Sequence, residues 1–297
     1  AVARALFDAG FEAEADRLLA QSQPSAASAV LVELEVARLA VARDELDRAR
    51  TLLQAPAGSP QPVKRPKQPD AWLLLARVYA REGRLDLSAQ LAKRMLELSP
   101  LHPEAASAWH LLSRDAVERR ESELAQQYLE RAEFLRDWHD VMRARRLQIR
   151  LTPEDPLPRL GLALGWMKVE RWSEAESVLT GLVARFPDYC RAYFQLGEAR
   201  RLSGDPRGAI EAYEVGQQCD PQDMRLTLNR ALLLREIGRV DEALVELQRV
   251  VASPAGEDPL FLGAHLELAR ALRGAERIEE ADAAYARYRA LGGTEAL

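Results

Sequence analysis

The amino-acid sequence predicts an all-α protein, a solenoid built from antiparallel helix hairpins. Two observations carry this prediction. A small residue is followed twelve positions later by a second small residue at eight places in the sequence, and these pairs recur at intervals of about 34 residues or somewhat more. The composition agrees, because aromatic residues make up only 6% whereas hydrophobic residues make up 47%, which is typical of stacked helices with small and aliphatic side chains.

Each pair marks one repeating unit. Successive pairs are separated either by one unit length of about 34 residues or by a longer interval, so the insertions fall in the connections. The pairs are Ala3/Ala15, Ala37/Ala49, Ala76/Ser88, Ser113/Ala125, Ala163/Ala175, Gly197/Ala209, Ala231/Ala243 and Ala269/Ala281.

Each unit is expected to be a hairpin of two helices, because two apolar-periodic stretches are separated by a turn. A left-handed glycine can end the first helix at that turn without steric cost. The glycines at this place are Gly10, Gly83, Gly204 and Gly238. Prolines cannot continue a helix and therefore close their units; they are Pro100, Pro187 and Pro221.

Two units carry the clearest consensus of aromatic, Leu, small and Pro residues. The unit from Cys190 to Asp223 contains Tyr193, Leu196, Gly197, Ala209, Tyr213 and Pro221. The unit that starts at Pro69 contains Trp72, Leu75, Ala76, Tyr79, Gly83 and Pro100. These residues resemble the tetratricopeptide repeat (TPR) family, of bacterial type, and the resemblance covers essentially the whole chain with about eight repeats. It implies a right-handed superhelical solenoid.

Five positions depart from the family pattern. Arg159 and Thr227 replace an early aromatic residue, and Arg200 and Arg230 stand where apolar residues are usual. Glu170 replaces the turn glycine.

The longest interval, between Ala125 and Ala175, divides the repeats into two arrays. We expect an N-terminal array over residues 1–137, with a Pro-rich, locally basic surface connector at 56–69, and a C-terminal array over 156–297. Residues 138–155 are expected to form an extra helix or the extension of a long one, because a helical apolar stripe continues without Gly or Pro. The connector is interpreted as a loop, with a Pro-rich docking segment as the alternative.

The two ends of the sequence lack parts of the pattern. The first unit lacks most of its leading helix, and the last ends near Leu291 without a polar capping helix. We therefore expect further sequence or a partner subunit to cover both terminal faces.

Charge and motif content exclude several classes of function. The net charge of -5 disfavours nucleic-acid binding, which requires excess Lys and Arg. No apolar run reaches membrane-spanning length, and the sequence fits a soluble protein of either the cytoplasm or the periplasm. The sequence contains no phosphate-binding loop, metal-ligand spacing or catalytic motif, so no cofactor, metal or catalytic residue is expected.

The two cysteines, Cys190 and Cys219, are expected to be buried or half-buried thiols. They fall at the same end of one hairpin, so a disulfide is possible but not expected.

The resemblance implies a peptide-binding groove on the concave side, formed by first helices. Carried over position by position, the groove residues are Arg77, Arg114, Leu160, Leu164, Phe194, Arg201, Leu228, Asn229, Leu232, Arg235, Arg270 and Arg273. Arginine forks beside aliphatic side chains suit a protein or peptide partner with acidic and apolar groups. The alternative is that these arginines are solvated and these leucines pack against adjacent helices.

Asn229 occupies the position of one asparagine in the family's carboxylate clamp. Phe194 and Glu198 replace the Lys and Asn that the clamp requires on the preceding unit, which argues against that function. The sequence thus favours a non-catalytic protein interaction scaffold, and the alternative is the recognition or regulatory arm of a larger enzyme.

Overall fold

A computed structural model describes residues 26–55 and 63–297, with a few isolated positions before residue 26. The described residues form fourteen α-helices, and their only β-type pairing is an isolated bridge between Gln54 and Val63. The predicted all-α fold is confirmed. The helices are α1 (Ala26–Ala42), α2 (Leu46–Leu53), α3 (Pro69–Arg81), α4 (Leu85–Leu98), α5 (Ala105–Glu118), α6 (Ser122–Leu151), α7 (Leu157–Met167), α8 (Trp172–Arg185), α9 (Arg191–Ser203), α10 (Pro206–Cys219), α11 (Met224–Glu236), α12 (Val240–Ala252), α13 (Leu262–Gly274) and α14 (Ile278–Ala290).

Successive helices pair as seven hairpins in the described part of the chain, each with one small pair. All fourteen members of these seven pairs are buried. In one hairpin the Ser113 hydroxyl donates a hydrogen bond to the Ala125 carbonyl oxygen at 3.1 Å, so the two helices touch at the pair. The eighth pair, Ala3 and Ala15, lies outside the described residues.

A left-handed residue ends the first helix of every described hairpin, seven positions after the first small residue. These residues are Asp44, Gly83, Arg120, Glu170, Gly204, Gly238 and Glu276, with φ between 58° and 87°. Glycine adopts this conformation without penalty, whereas other residues pay for it. The turns predicted at Gly83, Gly204 and Gly238 are confirmed, and Glu170 makes the same turn despite its side chain; Gly10 lies outside the described residues.

The chain divides into two compact units, Ala1–Asp140 and Val141–Leu297, and the boundary falls within α6. In the first unit a continuous core runs between first and second helices and includes Trp72, Leu75, Met95 and Leu135.

The connector between α2 and α3 is anchored at its second half. Val63 is only 1% exposed, and Lys64 donates its N–H to the Leu53 carbonyl oxygen at 2.7 Å. Trp72 Nε1 donates to the Pro66 carbonyl oxygen at 2.9 Å. The expectation of a connector lying wholly on the surface is therefore wrong at Val63, because this apolar side chain completes the core of the unit. Residues 56–62 lie outside the described residues.

In the second unit, the latter part of α6 packs against α7 through two glycines. A Cβ at Gly165 would overlap the side chain of Met142, and one at Gly161 would crowd Arg145. The absence of these two Cβ atoms lets α6 and α7 approach closely. The segment that the sequence left open between an extra helix and a longer one is a single helix of 30 residues up to Leu151.

Polar contacts account for three departures from the family pattern. Arg200 Nε lies 3.0 Å from Glu176 Oε1 of the preceding hairpin. Arg230 forms a half-buried ion pair with Glu246 at 2.5 Å. Thr227, which is fully buried, accepts a hydrogen bond from Arg249 at 2.9 Å. Paired polar groups thus replace the usual apolar contacts at these positions.

A disulfide joins Cys190 and Cys219, whose Cα atoms lie 5.4 Å apart. The expectation of two thiols is wrong. Cys190 is the N-cap residue of α9 and Cys219 the last residue of α10, so their predicted location at one end of a hairpin is confirmed. The antiparallel arrangement brings the two Cα atoms within bridging distance.

Candidate functional site

A cavity of about 700 Å³ opens along the first helices of the second unit. Helices α9, α11 and α13 contribute its walls. The lining residues, which we call the unit 2 groove, are Arg201, Asn229, Leu232, Leu233, Arg235, Glu236 and Glu267. The set contains four of the residues for which the resemblance implies peptide binding: Arg201, Asn229, Leu232 and Arg235. Arg201 and Arg235 come together because they occupy equivalent positions of successive hairpins.

The arginines of the groove are paired with carboxylates of the same unit. Arg201 Nη2 lies 2.8 Å from Glu198 Oε2, and Arg235 Nη2 lies 2.6 Å from Glu267 Oε2. Arg270 also donates to Glu267, at 2.9 Å. A partner carboxylate must therefore compete with Glu198 and Glu267 for the guanidinium groups. The sequence did not indicate the pairing of Arg235 with Glu267, because these two residues meet only across adjacent first helices.

Glu198 is held in place from a second direction by Tyr213 on α10. The Tyr213 hydroxyl donates a hydrogen bond to Glu198. Burial raises the pKa of Tyr213, and the hydrogen bond to Glu198 raises it further. The hydrogen bond to Glu198 also raises the pKa of Arg201. The Tyr213 ring reaches this position because Gly197 has no Cβ, which would overlap the ring.

One donor in the groove has no partner within the described part of the chain. The Nε atom of Arg235 is buried and makes no hydrogen bond. A buried N–H without an acceptor is unfavourable, so this group would gain from a partner carbonyl or carboxylate oxygen. Asn229, in contrast, already donates its side-chain amide to the Arg225 carbonyl oxygen at 2.8 Å.

Other residues expected in the groove have varied surroundings. Phe194 is half-buried beneath the Arg225 guanidinium, 5.4 Å from its ring centroid. Leu228 and Leu164 are half-buried against the core. Leu160 is only 4% exposed and belongs to the core; its assignment to the groove is wrong, because almost none of its surface is available to a partner.

Arg270 and Arg273 lie on α13, beyond the cavity. Arg270 is bound to Glu267 and to residues that follow α14. Arg273 is exposed and has no ion pair among the described residues. The cavity therefore collects only part of the residue set expected from the repeat positions.

In the first unit, Arg77 and Arg114 also come from the expected set. Arg77 Nη2 lies 2.6 Å from Glu104 Oε2, whereas Arg114 is exposed. Sequence reasoning missed Arg38, which pairs with Asp70 at 2.7 Å and with Glu104. A sequence signal for it exists, since Arg38, Arg77 and Arg114 each directly follow the first small residue of a pair.

Asp70 and Glu104 are stabilised as carboxylates by this cluster. The hydrogen bond from His102, whose Nε2 lies 3.5 Å from Asp70 Oδ2, lowers the pKa of Asp70 despite partial burial. Burial raises the pKa of Glu104, but Arg77 and Arg38 outweigh it, so the net pKa is lowered. The cluster links first helices of successive hairpins through ion pairs.

Neither a metal site nor a membrane span is apparent in the described part of the chain. Its His, Cys, Asp and Glu residues form no group of three or more suited to a metal ion. Among the described helices, none combines the length and hydrophobicity that a membrane crossing requires.

Three solved structures with a similar chain path are distant in sequence. The MamA protein is 16% identical, with a TM-score of 0.47, over 63% of this chain and 92% of that one. A thermophilic TPR protein from Thermus thermophilus is 20% identical, with a TM-score of 0.38, over 69% and 99%. YrrB, described as a TPR protein with an unusual peptide-binding site, is 17% identical, with a TM-score of 0.34, over 71% and 93%. Among curated protein sequences, none matches the chain.

The family profile described as tetratricopeptide repeat matches residues 34–103 and 160–224, one segment in each unit. The matched segments include hairpins with the buried small pairs and left-handed turns described above. Both units of the chain therefore contain tetratricopeptide repeats.

Proposed function

We propose that this chain is a non-catalytic scaffold that binds a peptide or protein segment in the unit 2 groove. Tetratricopeptide repeat proteins are scaffolds for protein–protein interaction. The observation that carries the proposal for this groove is the convergence of α9, α11 and α13 on one cavity of about 700 Å³. Its residues provide apolar, cationic and anionic groups together.

The composition of the groove supports a partner segment with both apolar and charged side chains. Leu232 is half-buried and offers an apolar contact between Arg201 and Arg235. The charges of the two lining arginines are matched by Glu236 and Glu267. A purely acidic segment would meet these carboxylates, so the favoured segment carries an acceptor for arginine and a donor for glutamate.

The unsatisfied Nε of Arg235 supports an oxygen acceptor at this place in the partner. A backbone carbonyl of an extended segment, or an acidic side chain, fits this requirement. Because Arg235 Nε is buried and the guanidinium already binds Glu267, the guanidinium has to turn toward the incoming acceptor.

The proposal can be tested with peptides selected from a random library on the purified full chain. Their affinities are then measured by fluorescence anisotropy for the wild type and for Arg235→Gln and Leu232→Asn. We expect each substitution to weaken binding by about tenfold, equivalent to about 1.4 kcal/mol. Circular dichroism checks that the variants fold.

Arg277→Gln is the matched control, because Arg277 forms an exposed ion pair with Glu280 on α14, outside the groove. Its peptide affinity should equal that of the wild type. Selected peptides that bind both groove variants as tightly as the wild type would refute the proposal.

A further inference from the structure

We propose that Arg270, Tyr285 and Tyr288 form a clamp for one acidic residue, and that Glu295 of the same chain occupies it. The clamp lies at α13 and α14, next to the unit 2 groove. The two sites share Glu267, which binds Arg270 and also lines the groove. The tail segment, which we define as residues Gly293–Leu297, follows α14.

Both main-chain polar groups of Glu295 are bound by tyrosine hydroxyls. The Glu295 N–H donates to the Tyr288 hydroxyl oxygen at 3.2 Å, and the Tyr285 hydroxyl donates to the Glu295 carbonyl oxygen at 3.0 Å. Tyr288 is only 4% exposed, and the two rings stack with centroids 6.0 Å apart. Packing therefore holds the Tyr288 ring in position, and the two hydroxyl groups bind the backbone of one residue.

Arg270 recognises the side chain of the same residue. Its Nη2 atom lies 3.3 Å from Glu295 Oε2 and donates to the Ala296 carbonyl oxygen at 3.3 Å. The other terminal nitrogen, Nη1, binds Glu267. An exposed ion pair alone contributes little, so specificity comes from the combination of one carboxylate and three main-chain contacts.

Two glycines direct the tail onto the clamp. Gly292 is left-handed, with φ of 97°, and Gly293 donates its N–H to the Tyr288 carbonyl oxygen at 3.0 Å, as in the common glycine cap of helices. A Cβ at Gly293 would overlap the Tyr288 ring. The Gly293 carbonyl oxygen accepts from Arg289 at 2.8 Å, which orients the chain toward Arg270.

The occupied clamp has a consequence for the neighbouring groove. Arg270 and Arg235 both pair with Glu267, which lines the groove. A tail bound to Arg270 therefore restricts the movement of Arg270 and of Glu267 beside it. In this respect the inference rests on the proposed function. The clamp itself can be tested without any groove ligand, because its occupant is known.

The experiment uses a chain that lacks residues 294–297 but keeps both capping glycines. The probe is the blocked peptide acetyl-Thr-Glu-Ala-amide. It is titrated into the ¹⁵N-labelled shortened chain, and the backbone amide signals of the chain are followed by NMR. We expect saturable shifts of the amide signals in α13 and α14 of the shortened chain. The full chain should bind the peptide at least about tenfold more weakly than the shortened chain, because its tethered tail competes at a high effective concentration. A peptide with Gln in place of Glu should bind more weakly.

Substitutions within the shortened chain identify the clamp. Tyr285→Phe and Arg270→Gln should each reduce peptide binding, whereas Arg273→Gln, one turn away on α13, should not. If the shortened chain fails to fold, the full chain with Glu295→Lys serves instead, since this lysine opposes Arg270 and releases the tail. Arg201→Gln, which changes a groove residue that pairs with Glu198 and not with Glu267, should leave peptide binding unchanged, which separates failure of the groove from failure of the clamp.

Equal binding of the peptide by full and tail-released chains would overturn the inference, as would absence of binding to a folded tail-released chain.

Discussion

Reduction of the disulfide should destabilise the hairpin of α9 and α10 far more than the first unit. Cys190 and Cys219 are separated by 29 residues in sequence, and the bond closes this loop in the unfolded chain. The loop-entropy relation gives about 3.5 kcal/mol of stabilisation for a loop of this length at 25 °C. The chain has only two cysteines, so a reductant acts on this bond alone.

The assay is native-state hydrogen exchange with and without reductant. A loss of about 3.5 kcal/mol corresponds to a decrease of roughly 400-fold in the protection of amides that exchange by opening of this hairpin. Protection of α3 and α4 in the first unit should stay unchanged and serves as the internal control. The double substitution Cys190→Ser and Cys219→Ser should reproduce the reduced wild type, and reductant should not affect it.

Two results would refute this reasoning. One is the titration of two free thiols in the native protein before any reductant is added. The other is unchanged protection of α9 and α10 after complete reduction. Because disulfides persist in oxidising compartments, the state of this bond in cells also tests whether the protein resides in an oxidising or a reducing compartment.

Three further predictions concern single residues. Gly197→Ala should lower the free energy of unfolding by about 1–3 kcal/mol in urea titrations, because the new Cβ overlaps the Tyr213 ring. Arg120→Gly should raise the free energy of unfolding by about 1 kcal/mol, because the left-handed backbone of Arg120, with φ of 61°, is unfavourable for a residue with a Cβ atom. The lowered pKa of Glu104 means that its carboxylate stabilises the fold at neutral pH. That contribution is lost as the pH falls through its folded-state pKa, below the ordinary value of about 4.3. The stability difference between wild type and Glu104→Gln should therefore shrink between neutral and acidic pH.

The two glycine-related predictions have controls within the chain. Gly181→Ala, in a helix position with no atom within 4 Å of the new Cβ, should stabilise by about 0.5–1 kcal/mol through helix propensity. Gly83→Ala should destabilise, since it places a side chain on a left-handed turn. An effect of Gly197→Ala equal to that of Gly181→Ala would contradict the packing argument, and a constant difference for Glu104→Gln at all pH values would contradict the electrostatic one.

The hairpin register could be predicted from sequence because it depends on local properties. A small residue such as Ala231 determines how closely two helices approach, and its partner lies only twelve positions away. The same spacing locates the turn, even where Glu170 replaces glycine. Repetition makes these short-range signals visible.

The charges of the candidate groove could not be predicted in the same way. Arg235 reaches Glu267 on the next first helix, and the choice among several nearby carboxylates depends on side-chain conformation. The burial of Leu160 depends likewise on how α7 packs against its neighbours. Repeat position identifies residues of one helix face, but it does not distinguish the part of that face that remains accessible.

The polar contacts between hairpins affect how the second unit comes apart. Repeat arrays unfold according to the balance between the stability of each hairpin and its coupling to the next. Arg200 and Glu176 connect α9 to α8, and Gln217 donates to Glu246 of the following hairpin at 3.4 Å. These contacts strengthen the coupling across α7–α12, and the ion pair between Arg235 and Glu267 extends it to α13, so the second unit should melt as one cooperative block.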